Sequence, residues 1–344
     1  MKGSVTARTT RHLPTGDFMA SNIHHFGTLA DGRAVQAVTL RGGDLSATVL
    51  TWGGILQDVR LTGTYHGLTL GSDNLADYLG QMRHHGALVG PVVNRLSNAA
   101  ANIGGKPHSF EANQAGRHCL HAGSAGTQFK LWELGAVTDS TLTLALTLPD
   151  GEGGFPGNRR ITAQFSVEAP ATLRMEVSAT TDALTLINFA NHSYWNLDGT
   201  AVWTGHQVRV AASHFLPTTD DFTPTGDVQD VAGLPVDFRE MRAIFPGQPD
   251  LDNNFCLSDS RQPLRDVLWL TGKSGLTMTV ATTDTGIQLY DGRNAFRPGK
   301  GAYEGIAIEA QSWPDAPNHA GFPGIEVGTG ETYDQVTEWR FEKP

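Results

Sequence analysis

An all-β fold, built as one large antiparallel β-sandwich, is the class this 344-residue chain predicts, and three observations carry it. Apolar and polar residues alternate with period two through many short segments. Threonine and valine supply β-branched residues throughout. The 40 glycines and 17 prolines are spread along the chain and cut it into short pieces. Strands alternating with helical segments are absent, so a doubly wound parallel sheet is not expected. Length alone suggests about two domains, but large all-β architectures often run past 200 residues as one unit.

The elements follow in order. Residues 1–22 contain Thr and Arg, lack an apolar core segment, and read as a loose extension or tag rather than a secretory signal. The sandwich is expected over residues 23–344. A short helix is predicted over Asn74–Leu79. Thr141–Leu148 alternates for a whole strand, as do Leu173–Ser178, His206–Val210 and Leu276–Val280. A turn is predicted around Asp237–Met241. Gly286–Tyr290 puts Ile287 and Leu289 on one face and Gln288 and Tyr290 on the other. Gly305–Gln311 puts Ile306 and Ile308 on one face and Ala307, Glu309 and Gln311 on the other. These two strands suggest a sheet with one buried face and one polar, concave face. An ordinary solvated sheet face is the simpler explanation of the alternation alone.

Composition excludes several functions. The net charge is −10 and no basic block stands out, so neither nucleic acid nor an anionic membrane is an expected partner. No run of 18 apolar residues occurs, so no membrane-spanning helix is expected. Two cysteines, Cys119 and Cys256, fit no zinc or redox spacing and read as small apolar filler in a reduced, cytoplasmic protein. Gly272-Lys273-Ser274 ends like a phosphate-binding loop, but Val267 stands where that loop needs glycine. Gly151–Gly157 has Pro156 at the third glycine of a dinucleotide fingerprint. Read as neighbours on a strand, His84 and His85 point to opposite faces and do not share a metal.

The chemistry concentrates in Asn188-Phe-Ala-Asn-His-Ser-Tyr-Trp-Asn-Leu-Asp-Gly199. A lone histidine, His192, sits there among amides, a hydroxyl and aromatics, the groups that hold a sugar. Histidine is the side chain best suited to exchange a proton near neutral pH. Acid–base chemistry on a carbohydrate is the reading. Taken singly, each polar residue has a plainer role: His192 as a satisfied core histidine, Glu309 as a solvated strand carboxylate, Asn94 and Arg95 as a structural pair, Asp252 closing an Asx turn.

Eight ordered segments, from about Asn22 to the C-terminus, resemble the aldose 1-epimerase (galactose mutarotase) family. They are Gly53-Gly54-Ile55-Leu56, Gly90–Leu96, Asn113–Gly123, Asp150–Gly157, Asn191–Leu197, Leu251–Cys256, Gly286–Tyr290 and Ile308–Asn318. The resemblance implies a galactose mutarotase-like supersandwich. It implies Glu309 as the base that takes the anomeric hydroxyl's proton, His192 as the acid that protonates the ring oxygen, and His121 as a second histidine near the reacting oxygens. Asn94, Arg95, Asp252 and Gln288 are implied to hold the sugar. No metal and no organic cofactor is implied, and the expected partner is a monosaccharide, on a monomer or homodimer.

Departures from the family pattern fall at Pro91, Ala122, Asn253, Asp291–Asn294 and Trp195, and those near the pocket bear on which sugar is taken. Trp195 or Trp313 is a candidate to stack on the sugar, with core packing the commoner role for either. The expected activity is interconversion of α and β anomers of a free hexose such as galactose or glucose. The alternatives are a phosphohexose 1-epimerase, which needs clustered cations where only Arg95 and Arg293 stand, a non-catalytic sugar sensor, and a two-carboxylate glycosidase using Asp252 and Glu309.

Overall fold

The computed structural model describes residues 22–344. The first 21 residues of the predicted extension lie outside the described residues. Asn22 itself belongs to the fold: it is buried, and its side-chain amide donates to the carbonyl of Thr138 at 2.9 Å.

Among the described residues, three antiparallel sheets carry the architecture. A nine-stranded sheet runs through Arg159–Glu168, Thr172–Thr181, the C-terminal strand Thr332–Glu342, Thr277–Thr282 and Arg265–Thr271. A four-stranded sheet is formed by Ile23–Thr28, Ala34–Gly42, Leu45–Leu50 and Ile55–Leu61. A six-stranded sheet is ordered Tyr194–Trp195, Ile306–Gln311, Gly286–Tyr290, Asp252–Cys256, His214–Phe215, Gln229–Asp230.

Period-two patterning explains the stacking. In Arg159–Glu168 the residues Ile161, Ala163, Phe165 and Val167 are buried, and in Thr172–Thr181 so are Leu173, Met175, Val177 and Ala179. These inward rows join Val38, Leu40 and Val49 of the four-stranded sheet and Ile306 and Ile308 of the six-stranded sheet in one apolar cluster. Polar cross-links add to it. Gln335, almost wholly buried on the C-terminal strand, donates to the carbonyls of Phe189 and Ala310, each at 3.0 Å, and to the carboxylate of Asp284.

The strands expected at Thr141–Leu148, Gly286–Tyr290 and within Thr172–Thr181 form as read. The helix spans Leu75–Leu79, capped by the Asn74 side chain, which accepts from the amide of Ala76. Residues 237–241 bend without forming a helix. One expectation is corrected: the strand Ile306–Gln311 is buried at all six positions, so neither of its faces is solvated. Loops roof the polar face and turn it into the floor of a pocket.

Candidate active site

Register places the floor. Tyr194, Ala307, Tyr290 and Asp252 are successive cross-strand partners, and Glu309, Gln288 and Asn254 form the next row on the same face. Ala307 is the small residue between Tyr194 and Tyr290, which leaves room above it. The cavity over this floor measures about 370 Å³.

The wall opposite is made of histidines held on turns. His121 follows the short strand Cys119–Leu120 and has φ 54°. Its Nδ1 accepts from the amide of Asn94 at 3.1 Å, its own amide donates to the Asn94 carbonyl at 2.9 Å, and its carbonyl accepts from the Gln128 side chain at 2.9 Å. Behind it, the hairpin Asp150–Gly157 packs close. A Cβ on Gly153, at φ 69°, would lie 2.5 Å from Cβ of Ala125, so only glycine brings the hairpin against the turn that follows His121. The ring of His192 stands 5.4 Å from that of His121 and 5.1 Å from that of Tyr194.

His192 Nε2 lies 3.7 Å from Glu309 Oε1, with both side chains almost fully buried. The other polar atoms, His192 Nδ1 and Glu309 Oε2, have no hydrogen-bond partner among the described residues. Burial without donors drives Glu309 up to about 8, with the nearby Asp252 carboxylate adding and Arg95 opposing. Burial drives His192 down to about 4. The shifts exceed the slight tuning toward neutrality that the chemistry requires, and between those values the pair carries a single proton.

Arg95 and Asp252 close one end. Arg95 Nη2 lies 3.4 Å from Asp252 Oδ2, its Nε donates to Gln114 at 3.1 Å, and its amide donates to the Asn94 side chain at 2.9 Å. Gln288 donates to the other Asp252 oxygen at 2.7 Å. Burial raises the Asp252 carboxyl, and Arg95 and Gln288 work against that rise.

Six of the seven residues singled out from the sequence line the cavity: Asn94, Arg95, His121, His192, Asp252 and Glu309. Gln288 does not. It is buried behind Asp252 and orients that carboxylate. Asp291 is buried too and grips Arg293 through two bonds of 2.9 and 2.7 Å, leaving Arg293 on the wall. Trp195 is fully buried against Trp339 and Phe341, with ring centroids 5.9 and 5.8 Å away, and Trp313 packs edge-on against Phe322. Neither tryptophan lines the cavity. Cys119 and Cys256 are free thiols packed in the apolar cluster beside the site.

Tyr194, Phe222, Gln114, His84 and His85 are among the wall residues that sequence reasoning missed, whereas Tyr290 stands on the polar face where alternation put it. Period two held the signal for Tyr194: it lies two residues from His192 and faces the same way, while Trp195 faces the core. His84 and His85 lie on a turn, not a strand. Both rings therefore reach the cavity, His84 at 5.0 Å from the ring of His121 and His85 at 4.4 Å from that of Tyr194.

Known proteins share this arrangement of chain. The aldose 1-epimerase family model matches residues 36–340. Mouse galactose mutarotase is 30% identical over 334 residues, covering 92% of this chain and 97% of the mouse protein. Aldose 1-epimerase of Escherichia coli K12 is 29% identical, covering 90% of this chain and 96% of its own. The crystal structure of galactose 1-epimerase from Lactobacillus acidophilus superposes with a TM-score of 0.82 at 25% identity, covering 94% of this chain and 98% of that one. An aldose epimerase homologue from C. elegans gives 0.83 at 25% identity, covering 90% and 99%. On the family match and the shared fold, the chain belongs to the aldose 1-epimerase family.

Proposed function

We propose that this protein interconverts the α and β anomers of a free hexose such as galactose or glucose, with Glu309 and His192 exchanging the protons. The observation that carries the reading is the buried pair itself: a carboxyl and an imidazole 3.7 Å apart, facing a polar cavity, with one proton between them near neutral pH.

In the ion-pair arrangement Glu309 takes the proton of the anomeric hydroxyl while His192 gives its proton to the ring oxygen. The C1–O bond to the ring oxygen breaks and C1 becomes an aldehyde. Both catalytic groups are then neutral, the arrangement that burial favours. Rotation about C1–C2 turns the other carbonyl face toward the returning hydroxyl. On closure His192 takes that hydroxyl's proton and Glu309 protonates the carbonyl oxygen, which restores the starting charges. His121, neutral with its proton on Nε2, donates a hydrogen bond to the oxygens that change charge. Arg95 and Asp252 hold ring hydroxyls, with Asn94 and Gln288 fixing their orientation.

A free sugar fits better than a phosphorylated one. Both arginines considered for a phosphate are engaged by carboxylates, Arg95 by Asp252 and Arg293 by Asp291 and Asp250.

Polarimetry of freshly dissolved α-galactose, α-glucose, α-xylose and α-arabinose tests the reading. Acceleration by the wild type should drop about 10²–10⁴-fold in Glu309→Gln and in His192→Ala. A wild type that binds sugar without accelerating mutarotation would reject it.

A further inference from the structure

Phe222 differs from the other aromatic residues around the cavity. The residue is 42% exposed, and it belongs to none of the apolar clusters among the described residues. It lines the cavity and caps Arg95, whose Cζ lies 5.3 Å from the ring centroid. Its backbone φ is 62°. A bulky side chain at positive φ is a steric outlier that its surroundings must hold in place, and such outliers gather at ligand sites.

The surroundings do hold it. The Phe222 amide donates to the Thr219 carbonyl at 2.9 Å, the Thr219 amide donates to the Thr223 carbonyl at 2.9 Å, and the hydroxyls of those two threonines pair at 3.0 Å. Asp221 accepts from Arg117 Nη1 at 2.5 Å and lies 3.5 Å from His118 Nε2. Arg117 and His118 sit on the segment that leads into His121. The loop that presents Phe222 is thus fastened to the loop that presents a wall histidine.

We propose that Phe222 is a substrate-binding residue that lays its ring over the apolar C–H face of the sugar. The proposal rests on the aldose reading above. A guanidinium donates in its own plane, so a hydroxyl held by Arg95 and Asp252 brings the sugar ring alongside that plane. The phenyl ring that caps the guanidinium lines the same cavity and is placed to overhang that sugar. This is the stacking role that neither Trp195 nor Trp313 fills, and it gives an exposed, strained aromatic ring a use that core packing does not.

The test is steady-state polarimetry and thermal unfolding of wild type, Phe222→Ala, Phe222→Gly and Phe222→Trp. KM should rise about five- to tenfold in the Ala and Gly variants with kcat within about twofold, the loss of one small covered apolar face. The Trp variant should keep KM within about twofold of wild type by restoring the stack. The Gly variant should melt above the Ala variant, because glycine takes positive φ without strain. Unchanged KM in both Ala and Gly, or a fall in kcat at constant KM, overturns the proposal. A Gly variant melting below the Ala variant overturns the strain argument. A wild type without activity would instead overturn the aldose reading, so the two failures are separable.

Discussion

Asn94 and His121 clasp one another through reciprocal hydrogen bonds, the Asn94 amide reaching Nδ1 of His121 at 3.1 Å and the His121 amide reaching the Asn94 carbonyl at 2.9 Å. Both residues have positive φ, 65° and 54°. Because Nδ1 accepts, the proton of the neutral ring sits on Nε2, and burial holds the ring well below the ordinary histidine value. His121 is therefore a fixed donor, whereas His192 Nδ1 has no partner among the described residues, which suits the proton exchange proposed for that ring.

That distinction predicts different behaviour for the two histidines. His121→Ala should lower kcat by about 10²–10³-fold, the cost of losing one donor to a developing charge. The pH limbs of the remaining activity should stay where they are in wild type. A displaced limb, measured by polarimetry across pH, would show that His121 itself titrates.

The pair should give a bell-shaped dependence of kcat/KM on pH. On the proposed mechanism, activity needs one proton shared by Glu309 and His192. The second proton arrives below about 4 and the last one leaves above about 8, so the acid and alkaline limbs should fall near those values. A limb at 6.5, the ordinary histidine value, would contradict this account.

Stability should fall as pH rises above 6.5. Glu309 titrates near 4.5 in the unfolded chain and about 8 in the folded one, so the folded state holds a proton that the unfolded state has released. Its contribution is complete below 4.5 and is lost as pH climbs through about 8. His192 acts in the opposite sense between about 4 and 6.5 and is silent above that. The melting temperature of wild type should drop between pH 6.5 and 9, and Glu309→Gln should flatten the slope. Equal slopes in differential scanning calorimetry would remove Glu309 as the cause.

Gln335→Leu should cost about 2–4 kcal/mol, because it strips a donor from two buried carbonyls and from Asp284 at once. Urea titration followed by tryptophan fluorescence measures it. A loss under about 1 kcal/mol would mean that other groups satisfy those acceptors.

Period-two patterning made the sheets legible, because inward rows such as Leu173, Met175 and Val177 have no other reason to alternate. The pairing of Glu309 with Gln288 was not legible from alternation, since register between strands depends on partners distant in the chain. The residues themselves pointed to His192 and Glu309, and the family resemblance added the other candidates. His84 and His85 are set aside by a strand reading that does not hold, because the chain turns between Leu79 and Leu88. Phe222 carried no sequence signal. Its place over Arg95 comes from a loop whose anchor, Asp221, is 104 residues from Arg117.

One peptide bond separates Tyr194, which faces the cavity, from Trp195, which faces Trp339 and Phe341. The two neighbours therefore answer to different selective pressures. A phenylalanine at 195 would remove bulk that positions 339 and 341 must replace, so drift at 195 should be recorded as covariation with the C-terminal strand. Change at 194 should instead follow the sugar. Divergence of substrate and divergence of core can thus proceed side by side on one short strand without either reading out in the other.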